Sequence, residues 1–300
     1  MRRRRPRPGV QTERQQLPYR APTVRRLGFP ANVKILSVFK DDGELKAHPD
    51  YRAAKSGDGE AATRLVFDLG AELFAQVMDS FGGDMTYVAP HAREALGDNA
   101  IPQVLASALG LLTVGRVDYE IVQATKVFHT GADPMERLIA RPRFTGKVQI
   151  GEPYVLVDDV TTMGGTLAEL AHFIQARGGI IGGVVVLVNA SRAGTLRPTK
   201  KVVRLLTERF GHEITEICGI EPDALTADEA TYLVGFRTTD EIRNRKATAA
   251  KETTRRLNSK GISGPSQPER LAAFDSTFAA HFRRAFWRQH RRARWRDQPG

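Results

Sequence analysis

The chain has 300 residues, 41% of them apolar, enough to bury a full core as one domain of roughly 200–250 residues with appendages. Its formal net charge of +11 lies at the ends: residues 1–30 hold nine Arg and one Glu, and residues 281–300 seven Arg and one Asp, so the body between is mildly acidic. A lone cysteine, Cys218, excludes an intramolecular disulfide and a cysteine metal cluster; with neither a membrane-length apolar run nor a signal peptide, a cytoplasmic protein without a membrane partner is expected.

In chain order, residues 1–30 have too little apolar content to fold alone and are expected to form a disordered basic arm. Residues 33–39 alternate into the turn Lys40-Asp41-Asp42-Gly43 before residues 44–48, which predicts a hairpin. Residues 60–81 carry Leu65, Leu69, Leu73, Val77 and Phe81 at helical spacing and stop at Gly82-Gly83. A short strand over 85–89 runs into Pro90-His91-Ala92-Arg93-Glu94, followed by a helix over 101–112 and a strand over 120–128. Residues 130–146 are polar, hold Arg137, Arg141 and Arg143, and show few signals of either kind. Val155-Leu156-Val157 then leads into Asp158-Asp159 and a hydroxyl- and glycine-rich turn ending at Thr166, with an amphipathic helix over 167–177 and a strand over 180–188. Helices are predicted over 200–210, 227–236 and 240–257, a linker over 259–268 and a basic helix over 274–296.

Strands alternating with helices predict an α/β fold with a doubly wound, mostly parallel sheet. The expected division is a basic arm over 1–30, an α/β domain with a small hood over 31–220, a helical extension over 221–258, and a linker with basic tail over 259–300. Asp223, Asp228, Glu229 and Asp240 read as helix caps or solvated charges. The tails suit nucleic acid or another acidic partner, with Trp287 and Trp295 available for stacking, or are simply solvated; oligomeric state leaves no mark in the sequence.

The segment from 155 to 177 carries the chemistry. A strand buried on both faces delivers Asp158 and Asp159 to its carboxyl end, where ligands sit in open α/β sheets. The following turn points backbone N–H groups and the positive end of a helix at the same place, which suits phosphate. Two carboxylates there would accept hydrogen bonds from the vicinal hydroxyls of a sugar, or from water on a magnesium ion. Together they describe a site for a ribose 5-phosphate.

This segment resembles the 5-phosphoribosyl 1-pyrophosphate (PRPP) signature of the type I phosphoribosyltransferases: an apolar strand, an acidic pair, and a Thr/Gly loop ending in Thr. With decreasing clarity the resemblance extends over about residues 84–190. It implies that Asp158 and Asp159 hold the ribose hydroxyls at the catalytic centre and meet Mg²⁺ through water or PRPP. Thr161, Thr162, Met163, Gly164, Gly165 and Thr166 would wrap the 5-phosphate, with the Thr166 hydroxyl also capping the helix. Met163 stands where the family usually offers a hydroxyl, so only its backbone N–H serves. Thr162 stands where oxopurine-specific members carry an Asp base, which disfavours oxopurines and favours a pyrimidine-like or unusual acceptor. His91, Ala92 and Arg93 occupy the pyrophosphate turn, and a closing loop over 126–143 offers Lys126, His129, Arg137 and Arg141 to the leaving group, Lys126 and Arg137 foremost. The acceptor would be chosen by a hood built from residues 33–48 and the helices after 196.

The implied activity is transfer of the 5-phosphoribosyl group from PRPP–Mg²⁺ to an unidentified nucleobase or small nucleophile, with release of pyrophosphate. A PRPP- or nucleotide-sensing regulator that grips nucleic acid remains the alternative on the same fold. A PRPP-making synthetase is disfavoured, because the chain has one signature and no G-x-x-x-x-G-K loop.

Overall fold

A computed structural model of the chain describes residues 24–90, 99–124 and 132–259. The basic arm up to residue 23, the tail from 260 with Trp287 and Trp295, the turn residues His91, Ala92 and Arg93, and Lys126 and His129 lie outside the described residues.

The two longest strands, β6 (Pro153–Thr161) and β7 (Ile180–Asn189), are near-continuous apolar runs and lie side by side in the middle of a five-stranded sheet. β2 (Thr86–Val88) flanks β6 and is followed outward by β3 (Arg116–Asp118), while β1 (Ile35–Leu36) closes the other edge against β7. Every pairing in this sheet is parallel. One face is covered by α1 (Gly43–Ala47), α2 (Tyr51–Lys55), α3 (Gly59–Leu69), α4 (Ala71–Ser80) and α5 (Ile101–Thr113), which pack on Val155, Val157, Val185 and Leu187. The other is covered by α7 (Gly165–Gln175), packed on Tyr154, Leu156, Val184 and Val186. The chain is thus α/β and doubly wound. Side chains alternate along a strand, so the same alternation sends Asp158 and Asp159 towards opposite faces of the sheet.

A third core lies beyond the sheet. It joins α8 (Lys200–Phe210), α9 (Glu213–Cys218), α10 (Ala227–Val234) and α11 (Thr239–Ser259) to α6 (Pro134–Ile139) through Met135, Leu138, Leu206, Ile214, Leu233 and Ile242. The domain boundary expected at 220 therefore falls inside one packed unit, because α8 and α9 share their apolar faces with α10 and α11. The basic arm also ends sooner than residue 30. Arg25 is 0% exposed and Phe29 is buried, with the Arg25 backbone pairing to Gly219 and Glu221.

Four other expectations change. Residues 33–48 form no hairpin: β1 joins the parallel sheet, and Gly43–Ala47 turns into a helix that buries Leu45 under α2. With residues 33–48 in the sheet and its helical layer, they cannot build a hood. The helix expected over 60–81 breaks at Gly70, where a Cβ would fall 2.4 Å from the Val66 carbonyl and 2.8 Å from the Phe74 ring. The strand expected over 120–128 is displaced: the sheet strand is β3, and β4 (Val122–Gln123) instead pairs antiparallel with β5 (Phe144–Thr145). The polar stretch at 130–146 holds α6, started by a capping box in which Asp133 accepts from the Glu136 N–H and Glu136 accepts from the Asp133 N–H, with Pro134 in the first turn.

Candidate active site

The loop between β6 and α7 follows from local sequence. After Thr161 the chain leaves β6, and Gly164 takes φ +73°, a left-handed conformation that a residue with a Cβ adopts at a cost. That turn lets α7 start at Gly165 with no side-chain cap, so the first N–H groups of the helix face the carboxyl end of the sheet without a side-chain acceptor. Thr166 is the second residue of the helix and does not cap it, because Gly164 takes the capping position. Around the loop, Arg137 Nη1 donates to Thr162 Oγ1 at 2.8 Å and Arg137 Nε to the Ala132 carbonyl at 2.9 Å. Thr226 Oγ1 donates to the Met163 carbonyl at 2.6 Å.

The acidic doublet is not symmetrical. Asp159 is 3% exposed, and its Oδ2 lies 2.6 Å from the ammonium of Lys55 at the end of α2. Asp158 is half-buried. Each carboxylate also accepts from the next backbone N–H: Asp158 Oδ1 from Asp159 and Asp159 Oδ1 from Val160, both at 2.9 Å. Loss of solvent, and then the neighbouring Asp159 charge, push the Asp158 carboxyl well above the usual carboxylate range, against the pull of the Asp159 N–H and Lys55. Burial alone would lower Lys55, but the charge of Asp159 and its hydrogen bond outweigh it and hold the ammonium above its ordinary value.

Behind the loop stands a buried charge network. Arg25 Nη1 reaches Glu169 Oε1 on α7 at 3.1 Å, its Nη2 meets Glu229 on α10, and its Nε donates to the Ala224 carbonyl at 3.0 Å. Arg141 Nη1 shares Glu169 Oε1 at 2.9 Å. Two guanidinium groups thus balance two carboxylates. Glu229 also accepts from the Thr226 N–H, completing the capping box of α10. Asp228, on the same turn, accepts from the Ser191 hydroxyl and from the Arg192 and Ala193 N–H groups at 3.1 and 3.2 Å. The first turn of α10 therefore holds both the loop between β6 and α7 and the loop after β7. Between them lies a cleft lined by Ile35, Thr162, Met163, Asn189, Ser191 and Asp228, among others.

Close to this network His172 Nδ1 accepts from the Leu27 N–H at 3.3 Å and fastens the 24–30 segment to α7. Burial, and then Arg25, Arg141, Arg177 and Arg26, lower its pKa. A histidine depressed in the folded state contributes stability that is present above its unfolded pKa of about 6.5 and is lost as pH falls towards the folded value. His172→Gln is therefore expected to weaken the loss of stability between pH 7.5 and 5.5, read as the difference in urea midpoints between variant and parent; identical slopes would reject the assignment.

No family model matches the chain. It is 38% identical over 227 residues to Protein TraN of Escherichia coli, a match covering 72% of this chain and 50% of that one. An uncharacterized protein of Haemophilus influenzae is 38% identical over 134 residues, 44% of this chain and 30% of that one. An adenine phosphoribosyltransferase of Kosmotoga olearia is 30% identical over 118 residues, 38% of this chain and 63% of that one. The chain spans half or less of the length of the first two relatives. Among solved structures, adenine phosphoribosyltransferase from Leishmania donovani matches at 16% identity over 65% of this chain and 87% of that one, with a TM-score of 0.32.

Of the residues expected at the site, the fold gathers Asp158, Asp159, the loop from Thr161 to Thr166, and Arg137. Arg137 stands at the loop between β6 and α7, bonded to Thr162, not on an open closing loop. Arg141 does not serve a leaving group: its side chain is almost wholly buried and engaged with Glu169. Residues 132–143 cannot act as a freely closing loop, because α6 buries Met135 and Leu138 and Arg245 on α11 pairs with Asp133. Sequence reasoning missed Lys55, Arg25, Glu169 and Thr226. Only Thr226 had left a signal, the capping-box spacing to Glu229.

Proposed function

We propose that the protein is a PRPP-dependent phosphoribosyltransferase, moving the 5-phosphoribosyl group from PRPP–Mg²⁺ to a nucleobase or small nucleophile with release of pyrophosphate. One observation carries the reading: a central parallel strand ends in an acidic doublet directly before an uncapped helix N-terminus reached through left-handed Gly164. The 30% identity to an adenine phosphoribosyltransferase supports it.

In this reading the backbone N–H groups from Met163 to Thr166 bind the 5-phosphate, with Arg137 beside Thr162 adding positive charge. Asp158 accepts from the ribose hydroxyls, and Asp159, tied to Lys55, supports it from the core side. In the transfer, the bond between C1 of the ribose and the pyrophosphate oxygen breaks with its electron pair leaving on that oxygen. The acceptor's lone pair forms the new bond to C1, and the acceptor's proton passes to solvent water. The ring gains positive charge on the way, which the Asp158 carboxylate stabilises. Among the described residues no three His, Cys, Asp or Glu groups converge on one point. Mg²⁺ would enter as a partner of the diphosphate, with Asp158 to hold it through water, and there it would neutralise the leaving group.

The test is pyrophosphate release by the full chain with PRPP, Mg²⁺ and a panel of nucleobases and small amines. Release that depends on one acceptor is expected. Absence of PRPP binding would remove the reading, and binding without release from any acceptor would replace it with a nucleotide-sensing role.

A further inference from the structure

The acidic doublet has a third member that no motif announces. Lys55 closes α2, the helix whose Ala54 carbonyl accepts from the Ala100 N–H at 3.0 Å, immediately before α5 begins. This bond fixes the end of α2 over the carboxyl end of the sheet, beside the point where the chain returns from β2. From there the ammonium reaches Asp159 Oδ2 at 2.6 Å, while 33% of the Lys55 side chain stays exposed. Asp159 is thereby held towards the helix layer that α2 belongs to, and Asp158 is the more exposed of the two.

Two adjacent carboxylates offered to an anionic sugar phosphate would repel it. A cation locked to one of them lowers that repulsion and gives the pair two different tasks. We propose that Lys55 is a positioning residue for the sugar site: by anchoring Asp159 on the core side it leaves Asp158 turned to the opening as the carboxylate that meets the ribose hydroxyls. This rests on the PRPP reading for its ligand but not for its geometry. An ammonium has three donors and only one is used by Asp159 Oδ2, so Lys55 can hold its partner without being withdrawn from the site.

The experiment uses Lys55→Met and Lys55→Arg in the full chain, with two readouts. In the ligand-free protein, the backbone amide resonances of Asp159 and Val160, which donate to the Asp158 and Asp159 carboxylates, report the orientation of the doublet. They are expected to move in Lys55→Met and to return near their parental positions in Lys55→Arg. The second readout is calorimetric titration with PRPP–Mg²⁺, where Lys55→Met is expected to weaken binding about 10- to 100-fold and Lys55→Arg to restore most of it. Parental amide positions in Lys55→Met, or altered positions that Lys55→Arg does not correct, would overturn the inference. If the parent itself binds no PRPP, the phosphoribosyltransferase reading fails while the amide resonances still decide the role of Lys55.

Discussion

Asp158→Asn is expected to lower pyrophosphate release about 10²- to 10³-fold and, in the ligand-free protein, to raise stability by on the order of 1 kcal/mol. In the proposed transfer, the loss follows from removing the negative charge that would meet the ribose as it turns cationic; an amide keeps the shape and one acceptor but not the charge. The gain follows from the environment. Burial and the adjacent Asp159 raise the folded-state pKa of Asp158. A carboxyl raised in this way contributes stability that is full below its unfolded pKa and is lost as pH rises through the folded value. Above that value its ionised form works against the fold, and Asn lifts that burden. Urea unfolding at pH 5 and pH 8 checks the sign: the advantage of the variant should be larger at pH 8. A variant that is inactive and also less stable at both pH values would mean that Asp158 serves packing.

Arg25→Met is expected to cost about 3–5 kcal/mol, a larger effect on stability than that of Asp158→Asn and opposite in sign. Arg25 is fully buried and bridges Glu169 on α7 to Glu229 on α10, so its loss leaves Glu169 to Arg141 and takes from Glu229 the guanidinium it meets. Arg25→Lys should recover only part of this, because an ammonium cannot present the flat fork that serves Glu169, Glu229 and the Ala224 carbonyl together. The urea midpoint reads the effect. A loss below about 1 kcal/mol would show that solvent or rearrangement satisfies the two glutamates. Because Glu169 lies in the first turns of α7 and Glu229 caps the helix whose Thr226 grips Met163, the same substitution should also loosen the loop between β6 and α7.

What the sequence made legible was whatever rests on local chemistry. The run from Val155 to Thr166 carries its own strand, turn and helix start, because the apolar strand and the glycines of the turn are decided within a dozen positions; the cap expected of Thr166 was not legible, since Gly164 takes the capping position. α5, α8 and α10 were legible for the same reason, from apolar spacing. Residues 33–48 misled, since a turn-like Asp41-Asp42-Gly43 serves equally as a helix start, and only pairing with β7 decides that β1 is a parallel edge. The break at Gly70 depends on how closely Val66 and Phe74 approach it, which spacing does not record. Lys55 and Arg25 were invisible because their partners lie 104 and 144 positions away in sequence for Asp159 and Glu169, and nothing near a lone Lys or Arg marks it as buried. Arg141 shows the reverse failure. Its position and charge suited a leaving group, yet the fold commits it to Glu169.

The measurement that bears most directly on this account is a crystal structure of the full chain with PRPP–Mg²⁺. The 5-phosphate should lie within hydrogen-bond distance of the backbone N–H groups of Met163 to Thr166, with a ribose hydroxyl on Asp158 and Asp159 still joined to Lys55. PRPP bound away from this loop, or a loop left empty at saturating PRPP, would mean that the strand, doublet and glycine turn form a structural corner and not a sugar-phosphate site.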